Sequence, residues 1–504
     1  MRKLIFLFAL CCCLQLQSTA QRAFISDSLD RYVERNMTEW KIPGVAVAVV
    51  KQGKIIWEKG YGVLETGKPA KVTPNTRFGI GSNSKAFTAT ALAMLQAAGK
   101  LSLDDKVKKW VPDFKQYDPW ITEQATVRDL LCHRLGFETF QGDFMYFDSD
   151  LSYAEVKEKF GQLKPLNGFR SKWGYTNAAF AVAGEVIEKV SGQTWGQFID
   201  SAIFKPLQMA TALPYSISLD TASNAASAHT VVEGVLKKIP YGHIDNLAPA
   251  GSISASVEDM SHWAMALLDN GKWAGKTVIA PDAIKATRQP SSIIGNAGHR
   301  FNRKHFALYG LGWMLEDYAG TKIVSHTGGV NGFVTAFTLL PEENAAVIVL
   351  TNTDANGFYT ALNAELVDAV LNLPYRDYSA LYLAGQKAGN AEDAARIKKL
   401  RDTVALKPTP ALPLSQFLGD YLHAVYGHMT IAMENGKAVA RFEHHKGRFA
   451  VLEPLGGNWF LASFNDPLYG IREWPFTIEN GKVKSVNVNV NDFVEFTTYD
   501  FVKQ

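Results

Sequence analysis

The sequence predicts an α+β fold, with an antiparallel sheet flanked by helices, followed by a small all-β barrel. Two β-prone runs, 45–50 and 55–57, flank a turn at Gln52-Gly53 and predict an early hairpin. Apolar residues recur at helical spacing after Ser82, which predicts a helix with one buried face. Regular alternation of strand and helix is missing, and this favours an antiparallel sheet over a parallel one.

Later stretches supply the remaining strands of the predicted sheet. Strand-like residues occur at 323–324 and 333–340, and 345–350 is an almost unbroken apolar run. Small residues at 178–190 predict a further helix. We therefore expect one main domain over residues 21–375.

A separate unit is predicted after this domain. Residues 376–402 look helical and exposed, and the spaced prolines of 407–413 indicate a stiff linker, so 376–413 is treated as helix and linker. The tetrapeptide Glu-Asn-Gly-Lys then occurs twice, and Asn-Gly is a strong hairpin signal. Valine and asparagine alternate over 486–491, as in a half-buried strand. Residues 414–504 are therefore predicted to form a small β-barrel.

The first 20 residues have the three parts of a secretory signal. Basic residues at positions 2 and 3 precede an apolar run, 4–14, which is too short to span a bilayer, and small residues precede a cut before Gln21. We expect a secreted or periplasmic protein with no transmembrane segment after cleavage. A lipid anchor on a signal cysteine is the alternative, although Leu10 is a poor neighbour for Cys11 in that modification.

Composition excludes several classes of function. The 504 residues carry a formal charge of +3, and removal of the signal leaves 50 basic and 49 acidic residues, a charge of +1. A nearly neutral chain does not steer polyanions, so no nucleic-acid partner is expected. Cys132 is the one cysteine outside the signal, so no internal disulfide forms, and we interpret it as a buried packing thiol.

The sharpest local signal is Ser82-Asn83-Ser84-Lys85, which opens the predicted helix. A serine and a lysine at i and i+3 share one helix face with Cβ atoms about 5–6 Å apart, so the amine can reach the hydroxyl. Unpaired N–H groups in the first turn favour a developing oxyanion there. Ser82 is therefore a candidate nucleophile and Lys85 its proton partner. A capping serine followed by a solvated lysine is the alternative, because this spacing also arises by chance.

A second motif is Tyr175-Thr176-Asn177, directly before the predicted helix at 178–190. A tyrosine with an ordinary pKa near 10 is a poor base at neutral pH, but a neighbouring lysine cation favours its phenolate. Both polar side chains could therefore face a cleft. A buried tyrosine with one hydrogen bond is the alternative.

A third motif, His326-Thr327-Gly328-Gly329, follows a strand-like stretch. Its glycines would let a substrate backbone lie close beside that strand. A glycine turn with a polar histidine is the alternative for this segment.

The order of the three motifs resembles that of the penicillin-recognising serine hydrolases, and most closely the branch of class C β-lactamases, D-alanyl-D-alanine carboxypeptidases, D-aminopeptidases and related esterases. Further family-like stretches occur at 126–131, 249–254 and 309–313. The resemblance covers about residues 25–370. It implies a β-lactamase/transpeptidase-like fold with an all-helical subdomain, and the C-terminal part is similar to the lipocalin-like β domain often appended to such hydrolases.

The resemblance also implies roles for individual residues. Ser82 would attack a carbonyl to form an acyl-enzyme, and Lys85 with Tyr175 would move the proton from Ser82 to the leaving amine. The backbone N–H groups of Ser82 and Gly329 would form the oxyanion hole. Asn177 would hold the lysine and a substrate amide. Substrate-binding residues are expected at Asn177, His326, Thr327 and Gly328.

Two stretches depart from the family pattern. His326 stands where β-lactamases usually have lysine, so at pH 7 the site loses most of one positive charge, and fast β-lactam hydrolysis is not expected. The stretch His133-Arg134-Leu135-Gly136 replaces the usual His-Thr-Ser-Gly, from which we expect altered packing or loop geometry.

The expected function is that of a secreted serine hydrolase acting on a small-molecule or peptide substrate, through amide or ester bonds of D-amino-acid-containing peptides or of small esters. A β-lactamase, or a penicillin-binding or sensor protein that is acylated without turnover, is the alternative. No metal site and no cofactor are expected, because His444-His445 lacks ligand spacing and no complete glycine-rich nucleotide loop occurs. The oligomeric state is left open by the sequence.

Overall fold

The computed structural model describes residues 24–504, and the predicted signal at 1–20 lies outside the described residues. The described chain divides into two compact units, each discontinuous in sequence. The first comprises residues 24–100, Gln193–Gly242 and Gly251–Gln386, and the second comprises Leu101–Gly192, His243–Ala250 and Lys387–Gln504. Within 24–504, no helix combines the length and apolar character needed to cross a membrane.

The first unit is built on an eight-stranded antiparallel sheet. The early hairpin forms as predicted, and its first strand pairs with the sheet strand that comes last in the chain, so the two apolar runs lie side by side as the second and third strands from one edge. From one edge to the other, the strands are Lys54–Gly62, Gly44–Lys51, Ala345–Thr351, Phe333–Leu340, Thr321–Val330, Met314–Tyr318, Phe306–Tyr309 and Ser292–Asn296.

Helices cover both faces of this sheet. On one face, Val47 belongs to the core that includes helices Leu29–Trp40 and Phe358–Val370. Successive side chains of a strand point to opposite faces, so Ala48 faces the helix Val257–Leu268 that packs on the same strand. Further helices of this unit are Phe24–Ser28, Ser84–Ala97, Trp195–Ile199, Asp200–Phe204 and Pro281–Thr287, with 3₁₀ turns at Gly81–Asn83, Ser216–Thr221 and Pro341–Glu343. Short paired strands are Phe78–Gly79 with Ser254–Ala255, His229–Val232 with Val235–Lys238, and Lys272–Trp273 with Lys276–Thr277.

The second unit contains a helical part and a barrel. Its helix Asn177–Ser191 is buried along most of its length, and its small residues allow close packing: a Cβ on Gly184 would lie 2.2 Å from Pro249 Cγ. This helix ends at Gly192, whose left-handed φ of +74° suits glycine. The other helices of this part are Val107–Trp110, Pro119–Gln124, Val127–Leu131, Asp143–Tyr146 and Tyr153–Gln162, with a 3₁₀ turn at Asp245–Leu247.

The C-terminal strands close into an eight-stranded antiparallel barrel, which leaves no open edge. Both Asn-Gly pairs are hairpin turns with positive φ at each residue, 49° and 77° at Asn435 and Gly436, as predicted. The helix Tyr378–Ala405 precedes the barrel, close to the predicted 376–402. The barrel strands are Gly419–His423, Gly427–Glu434, Lys437–Phe442, Phe449–Gly456, Trp459–Phe464, Ile471–Glu479, Lys482–Val488 and Tyr499–Lys503.

The predicted fold class is thus confirmed as a helix-flanked sheet followed by an all-β barrel. The strand expected at 323–324 is longer, Thr321–Val330, because it continues through the glycines after His326 and pairs with Phe333–Leu340. The domain boundaries at 375 and 413 stay predictions.

Candidate active site

Ser82 lies in the 3₁₀ turn Gly81–Asn83, directly before helix Ser84–Ala97. The two serines of the motif have different surroundings. Ser84 is fully buried, its hydroxyl donates to the Gly81 carbonyl at 2.7 Å, and its Oγ accepts the N–H of Ile253 at 3.1 Å. Ser82 is half-buried. Ser84 therefore fixes the turn, and Ser82 is the serine of the motif that stays partly exposed.

Lys85 is fully buried, and its Nζ donates to Ser82 Oγ at 3.1 Å. The i, i+3 spacing thus makes the contact that the sequence predicts. The backbone of Lys85 also packs closely: a Cβ on Gly312, whose φ is +69°, would lie 2.6 Å from the Lys85 carbonyl oxygen. An ammonium group so placed is desolvated beside a hydroxyl, a setting that suits proton transfer.

Glycines bring the Ser82 turn against the strand Thr321–Val330. Gly81 has a φ of +52°, and a Cβ there would lie 2.7 Å from the backbone nitrogen of Gly329. A Cβ on Gly328 would lie only 1.9 Å from the Ile80 carbonyl oxygen. The backbone of Gly329 therefore lies against the turn that carries Ser82. The oxyanion-hole roles of these two N–H groups stay predictions.

His326 is 1% exposed and neutral at pH 7. Burial, with the nearby Lys85 ammonium, lowers its pKa from 6.5 to about 3. Its Nδ1 lies 2.6 Å from the Thr327 carbonyl, which can only accept, so Nδ1 carries the proton and Nε2 accepts the Tyr309 hydroxyl at 3.0 Å. Thr327 is half-buried and faces the other side of the strand. The substrate-binding roles of His326, Thr327 and Gly328 stay predictions.

Tyr175 and Asn177 belong to the second unit, at the start of helix Asn177–Ser191. The Tyr175 ring is 6% exposed and lies over His133, with ring centroids 4.3 Å apart. His133 Nδ1 also accepts the N–H of Thr176 at 3.0 Å. The Asn177 amide donates from Nδ2 to Asp143 Oδ2 at 2.5 Å. The catalytic and binding roles given to Tyr175 and Asn177 stay predictions.

The atypical stretch after Cys132 is held by an ion-pair cluster. Arg134 Nε donates to Asp129 Oδ1 at 2.8 Å, and Arg170 donates to both oxygens of the same carboxylate. Burial alone would raise the pKa of Asp129, but the hydrogen bonds from Arg170, Thr126 and Arg134 hold it below its ordinary value. The stretch therefore belongs to an arginine-carboxylate network, and a departure from the usual packing of the family stays a prediction. Cys132 is buried, as predicted.

Three residues contact the predicted site residues but carry no functional signal of their own in the sequence: His133 beneath Tyr175, Asp143 on Asn177, and Tyr309 on His326. His133 lies in the atypical stretch 133–136 and Tyr309 in the family-like stretch 309–313, but Asp143 lies in no recognisable motif. Their contacts join residues 17–43 positions apart, beyond the reach of local spacing. Within 24–504, no group of three or more His, Cys, Asp or Glu side chains is arranged to hold a metal ion.

The Beta-lactamase family model matches residues 29–372, about two thirds of the chain. The chain belongs to the Beta-lactamase family. A second model, described as a domain of unknown function (DUF3471), matches residues 405–503, which contain the barrel. The resemblance read from the three motifs is thereby confirmed, and members of this family are generally serine hydrolases.

Relatives of this Beta-lactamase family chain include an unguisins hydrolase of Aspergillus campestris, 29% identical over 79% of this chain and 76% of the relative. The protein flp of Staphylococcus aureus is 27% identical over 65% of this chain and 63% of the relative.

Two solved structures share the fold. The octameric penicillin-binding protein homologue from Pyrococcus abyssi has a TM-score of 0.62 at 19% identity and covers 94% of this chain and 99% of its own. A D-stereospecific amidohydrolase from a Streptomyces species has a TM-score of 0.52 at 21% identity over 70% of this chain and 97% of its own.

Proposed function

We propose that this protein is a secreted serine hydrolase that forms an acyl-enzyme on Ser82 and cleaves amide or ester bonds. The observation that carries the proposal is the 3.1 Å contact between Lys85 Nζ, fully buried, and the half-buried Ser82 hydroxyl. A solvated surface lysine would not be buried in this way, so the alternative of a plain helix cap does not account for the contact.

The proposed reaction has two half-steps. Ser82 Oγ attacks the carbonyl carbon as its proton passes to the Lys85 and Tyr175 pair, and the proton then moves to the leaving amine or alkoxide as that bond breaks. Water then hydrolyses the ester on Ser82 and releases the acid. The N–H groups of Ser82 and Gly329 would stabilise the oxyanion in both half-steps. Asn177 would hold the substrate amide.

Because His326 is neutral, we favour substrates that place no free carboxylate beside this residue. A lysine at 326 would supply a cation for the carboxylate of a penicillin or of a D-Ala-D-Ala terminus, and a buried histidine with a pKa of about 3 supplies none at pH 7. D-amino-acid amides, small esters and D-peptides cleaved away from a free carboxyl end therefore fit better than β-lactams. The names of the relatives, a hydrolase of unguisins and a D-stereospecific amidohydrolase, agree with amide cleavage.

A substrate panel tests the proposal. Nitrocefin, a D-Ala-D-Ala peptide, a D-amino-acid amide and a short-chain aryl ester are assayed with the wild type, Ser82→Ala and Ser201→Ala, the last an exposed serine of the first unit. We expect turnover of the amide or ester, little turnover of nitrocefin, and a loss of roughly 10³-fold or more in Ser82→Ala alone.

The panel also separates the competing functions. Fast nitrocefin turnover would favour the β-lactamase alternative. Stoichiometric acylation of Ser82 that never turns over with any of the four compounds would favour a penicillin-binding or sensor protein. Activity that survives in Ser82→Ala would contradict the proposed nucleophile.

A further inference from the structure

The barrel contributes one buried carboxylate to the helical part of the second unit. Glu495 lies between the last two barrel strands and is 1% exposed. Its Oε1 accepts the N–H of Gly142 at 2.8 Å, and its Oε2 accepts the N–H of Phe144 at 2.9 Å. Further donors to this carboxylate are the hydroxyls of Tyr426, Thr497 and Tyr499. Such complete hydrogen bonding makes a buried carboxylate tolerable.

The same short segment is held by a side chain as well. The Phe144 ring stacks on His445 of the barrel with centroids 4.6 Å apart and planes at 16°. Phe442 and Tyr469 meet it edge-on at 5.1 and 5.7 Å. Burial lowers the pKa of His445 to about 4, so the stacked ring is neutral at pH 7. The barrel therefore holds Gly142–Phe144 by backbone and side chain together.

Asp143 lies between the two anchored amides and is 3% exposed. One of its oxygens accepts the Tyr146 hydroxyl, and Oδ2 accepts Asn177 Nδ2 at 2.5 Å. The nitrogen end of the Asn177 amide faces a carboxylate, and this fixes the orientation of the amide. Oδ1 is therefore the end that accepts hydrogen bonds from other groups.

We propose that Glu495 is a positioning residue: it fixes the turn Gly142–Phe144, so that Asp143 holds the Asn177 amide with its oxygen ready to accept a hydrogen bond from substrate. The inference rests on the proposed function, which places Asn177 in the substrate site. It gives the C-terminal barrel a part in the reaction through a residue more than 350 positions from the turn that it holds.

A double-mutant cycle tests this coupling. Glu495→Ala removes the acceptor, Glu495→Gln keeps the shape but places an NH₂ against one backbone N–H, and Glu479→Ala is the control, an exposed barrel carboxylate paired with Lys484. We expect Glu495→Ala to lower kcat/KM by about tenfold, the size of one charged hydrogen bond, and Glu495→Gln to lower it less.

In Glu495→Ala, kcat and KM should account for the lower kcat/KM in the same proportion as they do in Asn177→Ala. In the double variant Asn177→Ala/Glu495→Ala, kcat/KM should equal that of Asn177→Ala within about twofold, because the carboxylate acts through the amide. An additive loss in the double variant, or wild-type activity in Glu495→Ala, would overturn the proposal.

Hydrogen-deuterium exchange provides a readout that needs no substrate. In Glu495→Ala and Glu495→Gln, peptides covering 141–147 and 176–180 should exchange faster than in wild type, while a peptide covering 127–131 should not change. Unchanged exchange at 141–147 and 176–180 would overturn the positioning link even in an active enzyme. If the wild type shows no turnover that depends on Ser82, the proposed function is wrong. The exchange result would still decide whether Glu495 positions the turn and the Asn177 amide.

Discussion

The turn that carries Ser82 is held by close backbone contacts together with the Ser84 hydroxyl, whereas Tyr175 and Asn177 are held by hydrogen bonds and ring contacts of side chains. Around Ser82, the glycines at 81 and 328 meet neighbouring backbone at distances where no Cβ fits. Around Tyr175 and Asn177, the contacts come from His133 and Asp143.

The two regions should therefore differ in how well they tolerate substitution. Where two backbone segments are in van der Waals contact, glycine is the only residue small enough to fit. An added methyl group must therefore displace the turn. A side-chain contact can be replaced by another group with the same donor or acceptor. We therefore expect all-or-none responses near Ser82 and graded responses near Asn177.

The largest effect is expected for Lys85→Met, which keeps the length of the side chain but removes the amine beside Ser82. Loss of a proton-transfer group should lower kcat/KM by about 10²–10⁴-fold in assays with the best panel substrate. Lys100→Met, at an exposed position beyond the same helix, is the matched control and should stay near wild type. Equal activity in the two variants would remove Lys85 from the mechanism.

Gly328→Ala comes next, because its Cβ would lie 1.9 Å from the Ile80 carbonyl oxygen and 2.7 Å from Thr335 Oγ1. A displacement of the Ser82 turn by this clash should lower kcat/KM by about 10²-fold and lower the free energy of unfolding by about 1–3 kcal/mol. Gly298→Ala, where a Cβ meets nothing within 4 Å, should change neither quantity. If Gly328→Ala is fully active, the backbone contact is not what positions Ser82.

A graded response is expected at His133, which has a φ of +59° and accepts the N–H of Thr176. His133→Ala removes both the acceptor and the ring under Tyr175 and should lower kcat/KM by about tenfold. His133→Asn places an acceptor near the position of Nδ1 and tolerates positive φ, so it should recover most of that loss. Equal losses in the two variants would contradict the side-chain account of this region.

The smallest effect on activity is expected for His326→Gln, which can keep the hydrogen bond to Tyr309, and kcat/KM should stay within about threefold of wild type. Stability should respond to pH instead. Unfolded histidine takes up a proton below pH 6.5, and folded His326 does so only below about pH 3, so the wild type loses stability as pH falls through this window. At pH 4, the loss from this residue amounts to about 3 kcal/mol.

Chemical denaturation of both proteins at pH 7 and pH 4 checks this prediction. His423 and His445, whose pKa values burial lowers to about 4, are present in both proteins, so only the difference between the two reports on His326. The Gln variant should lose less stability than wild type at pH 4. Identical losses would show that His326 is protonated in the folded protein.

Much of the region around Ser82 is predictable from the sequence because its signals are local. The contact of Lys85 with Ser82 follows from an i, i+3 spacing, and the glycines after His326 indicate a close backbone approach. The same holds in the barrel, where the hairpins at Asn435 and Asn480 follow from turn chemistry alone. In each case the interacting residues are near neighbours in the chain, or glycine itself reports the constraint.

The region around Tyr175 and Asn177 is less predictable because its contacts are long-range. Nothing near Asp143 marks it as the partner of Asn177, which lies 34 positions away, and nothing in the barrel sequence marks Glu495 as the acceptor for Gly142. The state of His326 also needs the structure, since the sequence indicates loss of a cation but not that burial and the nearby Lys85 ammonium lower the pKa of the ring and keep it neutral.

Acylation of Ser82 is tested most directly by intact-mass and peptide analysis of the protein during turnover of the aryl ester. We expect a transient mass increase of one acyl group, located on the peptide that contains Ser82 and absent from Ser82→Ala, that decays once substrate is exhausted. An adduct on another residue, an adduct of equal amount in Ser82→Ala, or steady turnover of Ser82→Ala at the wild-type rate would contradict it.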